Sequence, residues 1–337
     1  MRRQILHRAL SYLIVPVCLL YAGWSAHVWY HSHYGHDASR QVKQKGFRFI
    51  SPLLDVELPE GMGVRNEPLP FKYKVNEFVQ QQIATHRVSE LSVYYRDLAD
   101  GPWFGINEGT KFNPASMMKV PVMIAWLKRA ERDPTVLNRK FSFDNKQENL
   151  TALQNIKPRH TITLGKKYTV DELLHFMMNY SDNNATSLLY NSLTPEELND
   201  VLDSMDINND PTDGNNAITV HGYSGFFRIL YNAAYLNREM SEKALQLLSL
   251  QDFPQGIAAG VPQGVPVAAK FGEDAQGEHG EDKQLHEFGI VYHPQGPYIL
   301  GIMTRGHDTA IQAGVIRDVS ALVYNEVAVQ RVPKTPR

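Results

Sequence analysis

The spacing of apolar residues predicts strands near both ends of the folded part of the chain and helices between them. Tyr73–His86 carries apolar residues along one side at helical spacing. Glu90–Leu98 and Pro102–Gly109 are strand-like runs on either side of a short polar turn, so they predict a hairpin. Further helices are predicted from Ser116 onward, in "TVDELLHFMMNY", in "TPEELNDVLDSM" and over about residues 225–237.

Two of these predicted helices begin with a capping box. Thr169 precedes Glu172 by three residues, and Thr194 precedes Glu197 by three, with Pro195 at the first helical position. In such a box the threonine hydroxyl and the glutamate carboxylate each accept a backbone N–H that the helix leaves without a partner. The signal therefore predicts where both helices start.

The spacing changes back to that of strands near the end of the chain. "GVPVAAKFG", "LHEFGIVYH" and "PYILGIMTRG" predict three strands joined by short turns, and a final helix is predicted over about residues 309–329. Strands from both chain ends can share one sheet. We therefore predict an α+β fold over 71–330: a five-stranded antiparallel sheet flanked by N- and C-terminal helices, with an all-helical insert at about 116–262. Residues 331–337 form a tail.

The N-terminus has the pattern of a membrane anchor. Residues 9–30 are uncharged and mostly apolar, long enough to cross a bilayer as a helix at about 1.5 Å rise per residue. Arginines crowd the short tail of residues 1–8, and positive residues stay cytoplasmic. We expect a transmembrane signal anchor at 9–30, with the folded domain extracytoplasmic. The alternative is a cleaved signal peptide and a secreted protein.

Composition excludes several other classes. The net charge is −2, and the sequence has neither a long basic run nor a glycine-rich phosphate loop, so no nucleic-acid partner is expected. The single cysteine, Cys18, rules out an intramolecular disulfide. Residues 31–70 predict a polar stem, in which three histidines could hold a metal but fit a solvated linker better. We expect a monomer with no metal and no organic cofactor.

Three short motifs carry the candidate chemistry. Ser116 and Lys119 are three residues apart at the start of a very apolar predicted helix, Ser181-Asp182-Asn183 follows "TVDELLHFMMNY", and Lys270-Phe271-Gly272 ends a late strand. Taken alone, the first motif fits a nucleophile with its base, or an ordinary helix start whose lysine reaches to solvent. The three motifs in this order, on these elements, favour the first interpretation.

With these motifs the chain resembles the class A β-lactamase and penicillin-binding-protein superfamily of active-site serine acyl-transfer enzymes. The resemblance runs from about Tyr73 to Val329 and includes "KFNPASMMKVPV", "NYSDNNATSLL" and "GIAAGVPQGVPVAAKFG". It implies that Ser116 is the nucleophile, that Lys119 accepts its proton, and that Ser181 relays a proton to the leaving nitrogen.

The resemblance also implies a set of substrate-binding positions. Asn183 would hold the amide side chain of the substrate, and Lys270 would supply positive charge for its carboxylate. Gly272 and Glu273 would border the substrate, with the backbone N–H of Glu273 and that of the nucleophile forming the oxyanion hole. Asp182 fits a helix cap better than a catalytic role.

Two departures from the superfamily pattern stand out. Phe271 replaces a Thr or Ser whose hydroxyl contacts the substrate carboxylate, and Arg305 could compensate or could be a surface arginine. The Glu-x-x-Leu-Asn loop, whose glutamate activates the deacylating water in class A enzymes, has no counterpart in residues 206–220. "PEELN" at 195–199 comes too early in the chain and is taken as part of a capping box. Asp210 and Asp213 are the acids left in the short loop, and either could substitute.

These observations predict a β-lactamase-related serine hydrolase. A β-lactam or a D-Ala-D-Ala-like amide would acylate Ser116, and deacylation would be slow without the usual base. The substrate would be a small molecule or a peptidoglycan peptide. Two alternatives stay open: a penicillin-binding-type D-alanyl-D-alanine peptidase, and an inactive cell-surface binding or sensor module with the same fold.

Overall fold

A computed structural model describes residues 40–43, 46–57, 71–98, 101–144, 148–205, 207, 217–274 and 283–330. The chain divides into two compact units, 1–42 with 55–64, and 43–54 with 65–337. Apart from one short strand pair, residues 40–43 with 53–57, all that follows concerns the second unit. The predicted transmembrane segment, the stem at 31–39, 44–45 and 58–70, and the tail at 331–337 lie outside the described residues. None of the described helices has both the length and the apolarity needed to cross a bilayer.

The centre of the domain is one antiparallel sheet of five strands, as predicted. Its strands are β3 (Glu90–Asp97), β4 (Trp103–Ile106), β9 (Val267–Asp274), β10 (Lys283–Val291) and β11 (Tyr298–Gly306), which lie in the order β4-β3-β11-β10-β9. Shorter pairs are formed by β1 (Arg40–Lys43) with β2 (Leu53–Glu57), β5 (Lys111–Phe112) with β8 (Ile218–Thr219), and β6 (Lys140–Ser142) with β7 (Lys167–Thr169). The large sheet joins strands from both ends of the domain and leaves β9 at an edge.

Eight α-helices surround this sheet in the described part of the chain. They are α1 (Lys72–Ala84), α2 (Lys119–Arg132), α3 (Val170–Asn179), α4 (Asn183–Tyr190), α5 (Pro195–Asp203), α6 (Val220–Asn232), α7 (Arg238–Leu248) and α8 (Thr309–Gln330). Both predicted capping boxes are confirmed, at the first residues of α3 and α5. The helices α2 to α7 lie between β5 and β9, in the region of the predicted insert. The insert is not all-helical, because it also contains the short strands β6, β7 and β8.

The two faces of the sheet carry separate apolar cores. On one face α1 and α8 pack against β3, β10 and β11, and Val75, Val315 and Val319 are buried there. On the other face α6 covers the sheet, and the buried α2 lies at the centre of the helical insert. The predicted core positions of α2 are buried: Val120, Val122, Ile124, Trp126 and Leu127.

Two elements differ from the prediction. The helix expected to start near residue 225 begins at Val220, because the Thr219 hydroxyl caps it by accepting the N–H of Gly222 at 3.0 Å. Part of the predicted stem is packed rather than solvated: Phe49 and Ile50 are buried in the core. The carboxylate of Glu242, on the unpredicted helix α7, accepts the backbone N–H groups of residues 48–50 at 2.9–3.1 Å.

Candidate active site

Ser116 lies on a tight turn that feeds into the buried helix α2. A 3₁₀ helix spans Ala115–Met118 and continues directly into α2 at Lys119. Ala115 adopts a left-handed conformation with φ +46°, and the Asn113 side chain accepts its N–H at 3.0 Å. On the other side of Ser116, the Met117 carbonyl accepts the Tyr223 hydroxyl at 2.7 Å. Strained backbone held by surrounding contacts is common at functional sites.

Lys119 is the centre of the polar cluster next to this turn. Its Nζ lies 2.9 Å from the Ser116 Oγ and 2.9 Å from the Ser181 Oγ. It also donates to the Ser181 carbonyl at 2.8 Å and to the Asn183 Oδ1 at 2.7 Å. The side chain is only 4% exposed. Burial lowers the pKa of Lys119 from 10.5 to about 7, while the charge of Asp182 opposes the shift.

The second motif places its residues by a bend between α3 and α4. Ser181 has φ +56°, which few non-glycine residues adopt, and this conformation lets its carbonyl and hydroxyl both face Lys119. Asp182 caps α4 by accepting the N–H groups of Asn184 and Ala185, and it also binds Thr161 and Ile162. The predicted structural role of Asp182 therefore agrees with its contacts.

Gln154 is a member of this cluster that the sequence does not indicate. Its side-chain amide donates to the Ser181 carbonyl at 3.0 Å, and its Oε1 accepts the Asn183 N–H at 3.2 Å. Gln154 therefore fixes the backbone on both sides of the bend. Gln154 directly follows a short 3₁₀ helix, residues 150–153, and no sequence motif marks that stretch.

The free edge of β9 faces the Ser116 turn. A Cβ on Gly272 would lie 2.5 Å from the Pro114 carbonyl, so only glycine lets the strand approach this closely. Phe271 N–H points away from β10 and donates to Gln251 at 2.6 Å. Because N–H directions alternate along a strand, the Glu273 N–H points to the same free edge.

Lys270 lies behind this edge and not in the cleft. It is 0% exposed, its Nζ donates to the Phe271 carbonyl at 2.9 Å, and it lies 4.0 Å from the Phe271 ring centroid. The Phe271 side chain is buried on the Phe253 ring, with the ring centroids 4.5 Å apart. Burial and the nearby charge of Lys119 hold the pKa of Lys270 well below its usual range, and Glu287 opposes this shift.

Two adjoining cavities, of about 390 and 210 Å³, open beside Ser116. Asn183 and Glu273 line both of them, and Lys119 lines the larger. The Glu273 carboxylate crosses the opening and accepts the Asn155 side-chain amide at 2.7 Å and the Ile156 N–H at 2.8 Å. The sequence indicates a role only for the backbone of Glu273, and it does not predict these contacts between the Glu273 carboxylate and residues 155–156.

The structure does not bring Arg305 to the cleft. Its guanidinium pairs with Glu90, donates to the Lys111 carbonyl at 3.1 Å and stacks over Phe112. Arg305 is in register with Asp274 through Gln284, two strands away, but these contacts direct it to Glu90 and it lines neither cavity, so it does not replace the hydroxyl missing at Phe271.

The glutamates of "PEELN" are also outside the described cavities. Glu197 caps its helix and pairs with Arg129 through both oxygens, and Glu196 lies in the exposed first turn. Leu198 from the same helix is the residue that lines the larger cavity. Asp210 and Asp213, the other acids considered, lie outside the described residues.

The cluster as a whole can move a proton from a hydroxyl to a buried amine and back. Lys119 Nζ donates to the Ser116 Oγ and to the Ser181 Oγ, both at 2.9 Å. When the amine is neutral, the same contact allows it to accept the Ser116 proton. The arrangement is suited to covalent acyl transfer.

Comparison with known proteins agrees with this geometry. The model of the Beta-lactamase enzyme family matches residues 73–327. No curated protein matches the sequence. A beta-lactamase from Sphaerobacter thermophilus DSM 20745 is 19% identical with a TM-score of 0.66, and the alignment covers 79% of this chain and 100% of that one.

Two further solved structures are similar. A class A beta-lactamase from Mycobacterium abscessus is 20% identical with a TM-score of 0.64, covering 75% of this chain and 99% of that one. A mutant of PBP-A, solved as an acyl-enzyme complex with penicillin G, is 19% identical with a TM-score of 0.63, covering 77% and 97%. At these identities the likeness shows a shared fold.

The family match covers the sheet, the helical insert and most of the closing helix, which are the elements that hold Ser116, Lys119 and Ser181 together. The resemblance to the class A β-lactamase and penicillin-binding-protein superfamily, predicted from three short motifs, is confirmed by this match and by the structural neighbours. The chain belongs to the Beta-lactamase enzyme family.

Proposed function

We propose that this protein is a serine hydrolase that forms a covalent acyl-enzyme on Ser116. The proposal rests on one observation: a buried amine, that of Lys119, lies 2.9 Å from the Ser116 hydroxyl and has a pKa lowered to about 7. An amine with this pKa is partly neutral at physiological pH and can accept the serine proton. The class of acyl donor is a β-lactam or a D-Ala-D-Ala-like amide.

The proposed reaction transfers the acyl group of the donor to the Ser116 hydroxyl. Ser116 Oγ forms a bond to the carbonyl carbon while its proton passes to Lys119. The carbonyl oxygen becomes an oxyanion that accepts the N–H groups of Ser116 and Glu273. The bond to the leaving nitrogen then breaks, and Ser181 passes a proton from Lys119 to that nitrogen. Water later attacks the ester and releases the acid.

We infer that this last step is slow. Among the described residues, the acidic side chains that line the two cavities are Glu273 and Asp274. Glu273 binds Asn155 and Ile156, and Asp274 accepts the Asn113 side chain at 2.9 Å. A carboxylate held in this way is poorly placed to activate a water against the ester. A long-lived adduct places the activity nearer to penicillin-binding enzymes than to efficient lactamases.

The test is intact-mass analysis of the folded domain, residues 44–337, incubated with penicillin G. Penicillin is a suitable probe because it acylated the similar PBP-A mutant. We expect a mass increase of one penicillin on the wild type and on Lys128→Met, a control on the same helix. We expect none on Ser116→Ala or Lys119→Met. No adduct with any acyl donor would contradict the proposal and favour a binding or sensor module.

The lifetime of the adduct tests slow deacylation separately. After removal of free penicillin, we expect the adduct to persist for hours, with the same lifetime in Asp210→Asn and Asp213→Asn. Turnover within seconds would contradict slow deacylation. Loss of that turnover in either variant would assign the missing base to the short loop.

We also infer that residues 9–30 anchor a monomeric domain on the outer side of a membrane, where peptidoglycan peptides are available. The apolar run and the arginines before it support this location. The full chain should resist extraction from membranes by alkaline carbonate and should be digested by protease added outside spheroplasts. A chain released by carbonate, or protected in intact spheroplasts, would contradict the anchor or its orientation.

A further inference from the structure

The cleft contains no free cation that could receive a substrate carboxylate, as far as the described residues show. Lys119 is the basic residue that lines the two cavities, and its Nζ is already shared among four oxygen atoms within 2.9 Å. Lys270 is fully buried and bonded to the Phe271 carbonyl. Arg305 pairs with Glu90 away from the cleft.

Two carboxylates lie where such a cation would be useful. Glu273 and Asp274, at the end of β9, line the smaller cavity together with Ser116. Glu273 extends across the opening to Asn155 and Ile156, so its charge lies over the approach to the nucleophile. Like charges at a few ångströms repel strongly in a partly desolvated site, so a second carboxylate here is disfavoured.

Part of the cleft wall is apolar. Beside polar residues such as Thr186 and Gln154, the larger cavity is bordered by Val122, Tyr190 and Leu198, and the smaller by Leu153. Leu153 is 71% exposed and Tyr190 is 52% exposed, so both present apolar surface at the cavities. They offer contact area to an apolar group on the bound substrate.

We propose that the site selects acyl donors that have an apolar acyl group and no carboxylate next to the reactive carbonyl: neutral or cationic amides and esters. Glu273 is the specificity-determining residue, because its carboxylate excludes an anionic group that the buried Lys270 does not attract. This selectivity rests on the proposed acylation of Ser116 and narrows its donors to β-lactams and D-Ala-D-Ala-like amides whose carboxylate is masked as an ester or an amide. The covalent step is the one described above, with an amine or an alcohol as the leaving group.

The experiment compares donors that differ only in this charge. Benzylpenicillin and its methyl ester share one ring system and one phenylacetyl group. Second-order rates of Ser116 labelling are measured by intact mass and divided by the rate at which hydroxide opens each ring. The variant is Glu273→Gln, and the matched control is Glu77→Gln, an exposed glutamate on α1 that lines neither cavity. A third donor, p-nitrophenyl phenylacetate, tests acylation without a β-lactam.

We expect the wild type to react about tenfold faster with the methyl ester than with the free acid. Glu273→Gln should raise the ratio of the free-acid rate to the ester rate by about tenfold, while Glu77→Gln leaves that ratio unchanged. A free acid that reacts at least as fast as the ester in the wild type, or a ratio unchanged in Glu273→Gln, would overturn the selectivity and leave acylation standing. If none of the three donors labels Ser116, the proposed function falls and the selectivity falls with it.

Discussion

The pH dependence of Ser116 acylation tests the role of Lys119 directly. Only the neutral amine accepts the serine proton, and burial places the pKa of Lys119 at about 7. Below that pH the neutral fraction falls tenfold for each unit. The acylation rate should therefore drop about fiftyfold from pH 7 to pH 5 and level off above pH 8. An exposed lysine, with a pKa of about 10.4, would still show a rising rate at pH 9.

The assay is the second-order rate of Ser116 labelling by the fastest of the three donors, followed by intact mass between pH 5 and pH 10. Asp182 supplies an independent check, because its charge raises the pKa of Lys119. Asp182→Asn should therefore move the break in the profile to lower pH. Asparagine can still cap α4, but its amide NH2 would replace the oxygen that accepts from Thr161 and Ile162, which should lower stability by about 1–3 kcal/mol.

One other buried group titrates in the same range and needs a control. Burial raises the pKa of Glu287 to about 7, with hydrogen bonds from the Ile257 N–H and Gln251 opposing the shift. Glu287→Gln removes this titration but leaves the contacts of Lys119 in place. We expect the break near pH 7 to remain in that variant. A break that disappears in Glu287→Gln, or a wild-type rate that is flat from pH 5 to pH 9, would refute the assignment of Lys119 as the base.

Three further predictions concern stability and the geometry around the site. Gly272→Ala should abolish acylation and destabilise the domain by about 1–3 kcal/mol, since its Cβ would meet the Pro114 carbonyl, whereas Gly109→Ala, with open space around it, should do neither. Glu242→Ala should lower the free energy of unfolding in urea by about 2 kcal/mol through three lost N–H contacts, and Glu239→Ala on the same helix should change it little. Burial lowers the pKa of His286 to about 4, so the folded state favours its neutral form. The free energy of unfolding should therefore fall by about 3 kcal/mol between pH 6.5 and pH 4. A His286→Gln variant whose free energy of unfolding falls equally over that range would contradict this.

The parts of the fold that the sequence predicts well are those set by local rules. Both capping boxes act within three residues, and they mark the starts of α3 and α5 correctly. The short apolar runs of the last three strands are equally local, and they predict most of the sheet. The sequence does not predict helix α7, because charged residues interrupt its apolar positions. One of those residues, Glu242, binds a segment almost two hundred residues earlier in the chain.

The candidate site divides in the same way. The positions of Ser116, Lys119 and Ser181 follow from motif spacing, but the contacts that set their chemistry do not. Gln154 reaches Ser181 from a loop that has no recognisable pattern, and the Glu273 side chain meets Asn155 from a strand more than a hundred residues later. Arg305 shows the reverse error: its position at the end of a strand suggests the cleft, but pairing with Glu90 holds it elsewhere.

The two proposals are linked through the charge of the buried lysines. The influence of Lys119 is among the causes that lower the pKa of Lys270. Burial already lowers the pKa of Lys119 to about 7, so the base does not depend on a second charged lysine beside it. Lys270 is buried beside the Phe271 ring and adds no exposed charge to the cleft, so on our proposal the carboxylate of Glu273 determines which donors can approach Ser116. On this reasoning, the exclusion of donors that carry a carboxylate and the presence of a partly neutral base at Lys119 both follow from the way the charged side chains are buried around Ser116.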